Sequence, residues 1–79
     1  MAQGVKAYVL IQTAVSAAHV AGDIAKISGV ESAEDVSGPY DVIVRVSAPD
    51  MDSLGQMVVT QIQQVDGITR TLTCPIVTF

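Results

Sequence analysis

Ile24-Ala25-Lys26-Ile27-Ser28-Gly29-Val30 returns later in the chain as Ile62-Gln63-Gln64-Val65-Asp66-Gly67-Ile68. Both copies have the form I-x-x-[I/V]-x-G-[V/I], at an offset of 38 residues from Ile24 to Ile62. Each copy leads into a strand-like stretch. The glycine stands where a helix stops and a strand begins. A helix commonly ends in a left-handed residue, which glycine adopts without steric cost. Two such units predict a doubled strand–helix–strand, a βαββαβ chain.

The elements follow outward from these two glycines. Val5 to Gln12 is rich in β-branched and aromatic residues and predicts the first strand. Thr13 to Ser16 turn the chain, and Ser16 is a candidate helix cap. Ala17, Val20, Ala21, Ile24 and Ile27 then share one helical face, with His19, Asp23 and Lys26 on the other. Gly29 ends that helix, and Val30 to Val36 forms a second strand with an acidic side of Glu31, Glu34 and Asp35. Ser37-Gly38-Pro39 is a turn. Tyr40 to Ser47 alternates: Tyr40, Val42, Val44 and Val46 on one face, Asp41, Ile43 and Arg45 on the other. Asp50 is the expected cap of the second helix, with Asp52 favourable near its positive end. Met51, Leu54, Val58, Ile62 and Val65 form its expected buried stripe, and Gly67 ends it. Ile68 to Phe79 is a last strand in which Pro75, lacking an N–H, predicts an edge, a bulge or a break.

The fold class is therefore α+β, a ferredoxin-like βαββαβ sandwich. A four-stranded antiparallel sheet carries two helices on one face.

Composition bounds what such a domain does. The 79 residues make one domain, 1–79, too small to bury a large core alone. Yet 49% are hydrophobic and only 15% charged, below the roughly 25% of ordinary domains. The net charge is −4, and Lys6, Lys26, Arg45 and Arg70 are the fixed cations. With no basic cluster to neutralise phosphates, direct nucleic-acid binding is not expected. The single cysteine, Cys74, fits a reducing compartment. The apolar run Ala7 to Ile11 is too short for a signal or membrane segment, so the chain reads as cytoplasmic, with no membrane partner.

The first strand adds a demand. Val5, Ala7, Val9 and Ile11 make one apolar face, but Tyr8 and Leu10 make the opposite face apolar too, and Ile43 joins them. Burying a Leu or Ile side chain is worth about 1.5–3 kcal/mol. A second subunit laid sheet to sheet would recover that, so a dimer or larger homo-oligomer is expected.

At this point the residues resemble a family. Ile27 to Val46, with the turn Ser37-Gly38-Pro39-Tyr40-Asp41, and Val65-Asp66-Gly67-Ile68-Thr69-Arg70-Thr71-Leu72-Thr73 are similar to the effector-binding (RAM) domain of Lrp/AsnC transcription regulators. The pattern is G-V, a [T/S]-G-x-[Y/F]-D turn before an apolar strand, then G-V-x-x-[T/S]-x-T. It covers essentially the whole chain. The resemblance implies the same sandwich, no catalysis, no cofactor and no metal. It implies amino-acid or related metabolite binding between dimers of a larger ring. Carried over by position, it selects Gly38, Tyr40 and Asp41 in the turn, and Thr71 and Thr73 in the last strand. Asp41 would receive a ligand ammonium; backbone N–H groups near Gly38 and a threonine hydroxyl would meet its carboxylate. Pro39 leaves the turn one donor short. Regulators of this family carry a helix-turn-helix before the domain. Only four residues precede the first strand here, so the chain reads either as a stand-alone module, the favoured expectation, one that modulates a full-length regulator by mixed assembly, or as a fragment of a longer regulator.

Structural readings stand beside these. Asp41 can simply hold the turn, Tyr40 can be an interface aromatic, and Thr69 suits a strand. An isolated His19 is weak evidence for a metal. Cys74 reads as a packed small hydrophobe, and Ser16 as a cap rather than a nucleophile. Two rivals share the sandwich. A dimeric α/β-barrel enzyme, such as a small isomerase or monooxygenase, would need an acid/base or redox group inside the barrel. An ACT-type module would favour glycine in the first strand–helix turn, where Thr13-Ala14-Val15-Ser16 stands.

Overall fold

A computed structural model describes residues 4–14 and 19–77. The element order is β1 (Val5–Thr13), α1 (Val20–Ala25), β2 (Val30–Asp35), β3 (Val42–Ala48), α2 (Met51–Met57) and β4 (Ile68–Pro75). A wider π-helical turn, Val58–Ile62, continues α2. The strands form one sheet in the order β2-β3-β1-β4, every neighbour antiparallel. The expected βαββαβ sandwich is the fold observed.

Alternation decides which side chains face the helices. Ala7, Val9 and Ile11 on β1 are fully buried, beside Val42, Val44 and Val46 of β3. Val20, Ala21 and Ile24 of α1 close over them, with Leu54 and Met57 of α2, then Val58 and Ile62. The repeat has a physical counterpart. Gly29 and Gly67 take φ of 94° and 101°. In both copies the residue after the glycine donates its N–H to the carbonyl three residues back, Val30 to Ile27 at 3.1 Å and Ile68 to Val65 at 3.4 Å. Gly29 has a second reason to be glycine. A Cβ there would stand 3.0 Å from both the Ser47 carbonyl oxygen and the Met57 methyl.

Several boundaries differ from expectation. The expected Ser16 cap and Ala17 lie outside the described residues. Helix α1 ends at Ala25, and Ile27 closes a turn onto the Ile24 carbonyl at 2.9 Å before Gly29. Strand β2 stops at Asp35. Strand β3 begins at Val42 rather than Tyr40, because Pro39 and the turn precede a single ladder bond, Asp41 N–H to the Ile11 carbonyl at 2.8 Å. Strand β4 ends at Pro75 on the sheet edge, as a residue without an N–H permits. Thr78 and Phe79 of the expected last strand lie outside the described residues.

The second helix carries one correction. Asp50 is the cap expected: its carboxylate accepts the Ser53 N–H at 2.7 Å. Met51, however, is 53% exposed, and Met57 takes the inner position at 8%. Met51 sits in the first turn after the cap, where α2 overhangs the groove beside β4 instead of the core. The π-helical turn, closed by Gln63 N–H to the Val58 carbonyl at 2.8 Å, carries the buried stripe on through Val58 and Ile62.

Candidate functional site

The turn between β2 and β3 is braced on both sides. Val36 N–H donates to the Asp41 carbonyl at 2.9 Å, and the Gln12 side-chain amide donates to the Pro39 carbonyl at 2.9 Å. The Asp41 carboxylate accepts the Thr13 backbone N–H at 2.9 Å. That bond falls where the β1–β4 register shifts, between Gln12 and Thr13, so the carboxylate occupies a break in the ladder. Gly38 is exposed, with no atom within 4 Å of where a Cβ would stand, so its backbone faces open space. Tyr40 is half-buried.

Thr71 and Thr73 stand elsewhere. They pair with Ile11 and Val9, whose side chains face the helices, so both hydroxyls lie on the helix side of β4. There they line a groove of about 430 Å³ between α2 and the β4 edge, with Met51, Leu54, Val58 and Gln63 among its walls. The Gln63 amide donates to the Thr71 hydroxyl at 2.8 Å. Gly38, Tyr40 and Asp41 do not line this groove. The two sets share one end of the sheet, since Ile11 pairs with Val42 on one side and Thr71 on the other. Two strand spacings, about 10 Å, separate those flanking backbones. The chain thus holds the candidate residues as two separate patches rather than in one pocket.

Sequence reasoning missed the apolar wall of the groove. Gln63 was legible only as a variable position of the repeat, and its pairing with Thr71 depends on the π-helical turn. Contacts support the structural readings of two residues. Thr69 donates its hydroxyl to the Gln12 carbonyl at 3.2 Å. His19 Nε2 lies 3.0 Å from the Asp66 carbonyl and donates to it, tying the start of α1 to the turn before Gly67. Asp41 has a structural role other than the one expected: its carboxylate accepts from Thr13 at the end of β1 rather than from the preceding turn, which its backbone carbonyl closes instead. Cys74, expected to be packed, is instead exposed, because its side of β4 faces away from the helices. Among the described residues, no three His, Cys, Asp or Glu side chains come together as metal ligands. Among them, too, no helix is long and apolar enough to cross a membrane.

The sheet face opposite the helices is half apolar and half charged. Leu72 is 44% and Tyr8 39% exposed there. Beside them Glu31 accepts from Arg45 Nε at 3.0 Å and lies 3.6 Å from Lys6 Nζ. Arg45 also donates to the Tyr8 hydroxyl at 2.9 Å. The hydrogen bond from Arg45 holds the Glu31 carboxyl below its ordinary range, and the same bond raises Arg45.

The four-stranded antiparallel sheet with its helices on one face is the ferredoxin-like fold, and the family match gives it a class, that of regulatory ligand-binding domains. Residues 6–78 match the family described as the Lrp/AsnC ligand binding domain, and the chain belongs to it. A helix-turn-helix-type transcriptional regulator of Pyrococcus furiosus is 31% identical over 74 residues, covering 89% of this chain and 49% of that protein. The chain thus spans about half the length of the curated relatives it matches. The crystal structure of TTHA0845 from Thermus thermophilus superposes with a TM-score of 0.88 at 28% identity, covering 95% of each chain. The Neisseria meningitidis regulator NMB0573, solved as an L-Met complex, shares the fold. It has a TM-score of 0.79 at 17% identity, over 94% of this chain and 50% of that one.

Proposed function

We propose that this domain is a non-catalytic receptor for an amino acid or a closely related metabolite, held in a crevice that forms only when copies of the chain assemble. One observation carries the reading. The turn with Gly38, Tyr40 and Asp41 and the groove with Thr71 and Thr73 sit at the same end of the sheet without meeting inside one protomer. Apposed protomers complete a zwitterion site from two such halves: Asp41 for the ammonium, the open backbone at Gly38 and a threonine hydroxyl for the carboxylate. The apolar walls of the groove then accept the side chain. The L-Met complex of a protein with this fold supports that ligand class. Assembly uses the uncovered sheet face, whose Tyr8 and Leu72 gain by leaving water. A bound effector changes how the domain assembles, with itself or with full-length Lrp/AsnC regulators, and DNA contact is left to such a partner.

The test is calorimetry of the assembled protein against the twenty common amino acids, with sedimentation of the same samples. Saturable binding to at least one of them, at one site per protomer, supports the reading. Absence of binding to all twenty overturns the amino-acid assignment. A single-chain mass at micromolar concentration overturns the assembly.

A further inference from the structure

The groove between α2 and β4 has a partition where it meets a second hollow. Among the described residues that line the groove, none is ionisable. Leu54 and Val58 are its buried walls, Met51 and Val59 its exposed ones. Its polar side chains are Gln63, Thr71 and Thr73. Gln63 and Thr71 also border the second hollow, of about 270 Å³, which continues along Ile68, Thr69 and Arg70. The 2.8 Å hydrogen bond from the Gln63 amide to the Thr71 hydroxyl therefore stands between an apolar groove of about 430 Å³ and a smaller, more polar space. Arg70 directly precedes Thr71 on β4, so its side chain goes to the opposite face of the sheet and leaves the groove uncharged.

We propose that Gln63 decides which ligand side chain this groove accepts, and that the chain as it stands takes an uncharged one. This rests on the ligand site proposed above and names the side-chain class it takes. A lone charge set against apolar walls loses its water without gaining a partner, and that cost rejects lysine and glutamate. An aliphatic or thioether side chain carries no such cost and gains by leaving water. The tip of that side chain meets the bridge between Gln63 and Thr71. Gln63 is exposed and lies outside the core cluster, so its charge can be changed without repacking the interior.

The backbone aims Gln63 at this place. Its N–H donates to the Val58 carbonyl at 2.8 Å, five residues back, and so stacks Gln63 over a wall residue of the groove. In an ordinary α-helix the fourth residue on takes that place, which here is Ile62. Ile62 is fully buried in the core. The wider turn keeps Ile62 inward and still brings the next side chain round to β4. Such turns are rare and are frequent at functional sites. A side-chain amide has two N–H donors and an acceptor oxygen, so one bond to Thr71 leaves Gln63 able to meet a ligand.

The experiment is calorimetry of the full chain, of Gln63→Glu and of Gln63→Lys against the twenty common amino acids. The wild type binds most tightly a ligand whose side chain is uncharged. Relative to that ligand, Gln63→Glu raises the affinity for lysine about tenfold, and Gln63→Lys raises that for glutamate by a like factor. Opposite shifts from one position mark a specificity role, since a merely structural role would weaken every ligand alike. Gln63 is exposed, so both variants melt near the wild type. Either variant decides the matter if the other fails to fold. Affinity ratios unmoved by the substitutions, or a wild type whose tightest ligand carries a charged side chain, overturn the assignment of Gln63 while leaving the ligand site standing. A wild type that binds none of the twenty overturns the ligand site itself, and this inference with it.

Discussion

The Asp41 carboxylate accepts the Thr13 backbone N–H at 2.9 Å, across a gap of 28 residues in the chain. The side chain assigned to a ligand ammonium therefore also fastens the end of β1. An ionised carboxylate has about four acceptor positions on its two oxygens, so one bond to Thr13 leaves capacity for a ligand. The two roles separate by substitution. Asp41→Asn keeps an acceptor oxygen for Thr13 but loses the charge. Its thermal midpoint stays near wild type while calorimetry shows amino-acid binding lost. Asp41→Ala loses both, with a further stability loss of about 1 kcal/mol. Unchanged ligand affinity in Asp41→Asn would remove Asp41 from the site.

Asp50 gives a pH prediction. Its carboxylate caps α2 and is held below its ordinary value of 3.8, first by the Ser53 backbone N–H. A carboxyl lowered in the folded state stabilises the fold above its unfolded value, and that contribution is lost as pH falls through the folded one. Asp50→Ala is expected to lower stability at neutral pH through loss of the helix cap. The gap from wild type should close as the pH is taken below 3.8, read by chemical denaturation across that window.

Two glycines predict opposite signs. Gly22 lies inside α1 with no atom within 4 Å of where a Cβ would stand, so Gly22→Ala gains helix propensity. It should raise stability by about 0.5–1 kcal/mol. Gly29 has φ 94° and a Cβ would press on the Ser47 carbonyl. Gly29→Ala should cost about 1–2 kcal/mol or more. Parallel urea melts of the two variants check both signs at once.

Leu72 tests the uncovered face. It pairs with Leu10 from the edge strand β4 and is 44% exposed. Leu72→Lys should leave the helix-side core untouched and so retain the circular dichroism spectrum of the wild type. In sedimentation it should run as a single chain. Wild-type mass in that variant would show that the face is not where copies meet.

Much of this was legible because the signals are local. Gly29 and Gly67 end helices for reasons carried in one residue each, and Asp50 caps α2 through a bond spanning three positions. Strand alternation in β1 and β3 gave the core face directly. What was hidden depends on the path of the backbone. Met51 and Met57 both fit a helical stripe, and only the overhang of α2 and the π-helical turn decide which is inside. The candidate residues were legible as two motifs but not as two separate patches. The register that puts Val42 and Thr71 on either side of Ile11 is a tertiary fact that neither motif contains.

The strand order has a consequence for how the chain comes together. The two central strands, β1 and β3, belong to different copies of the internal repeat, and each copy's other strand is an outer one. Neither half can shield its own middle strand, so a chain cut in the Ser37-Gly38 turn yields two pieces that stay unstructured apart and gain order only on mixing. The two halves therefore make a single cooperative unit, each supplying the neighbour that the other's central strand needs.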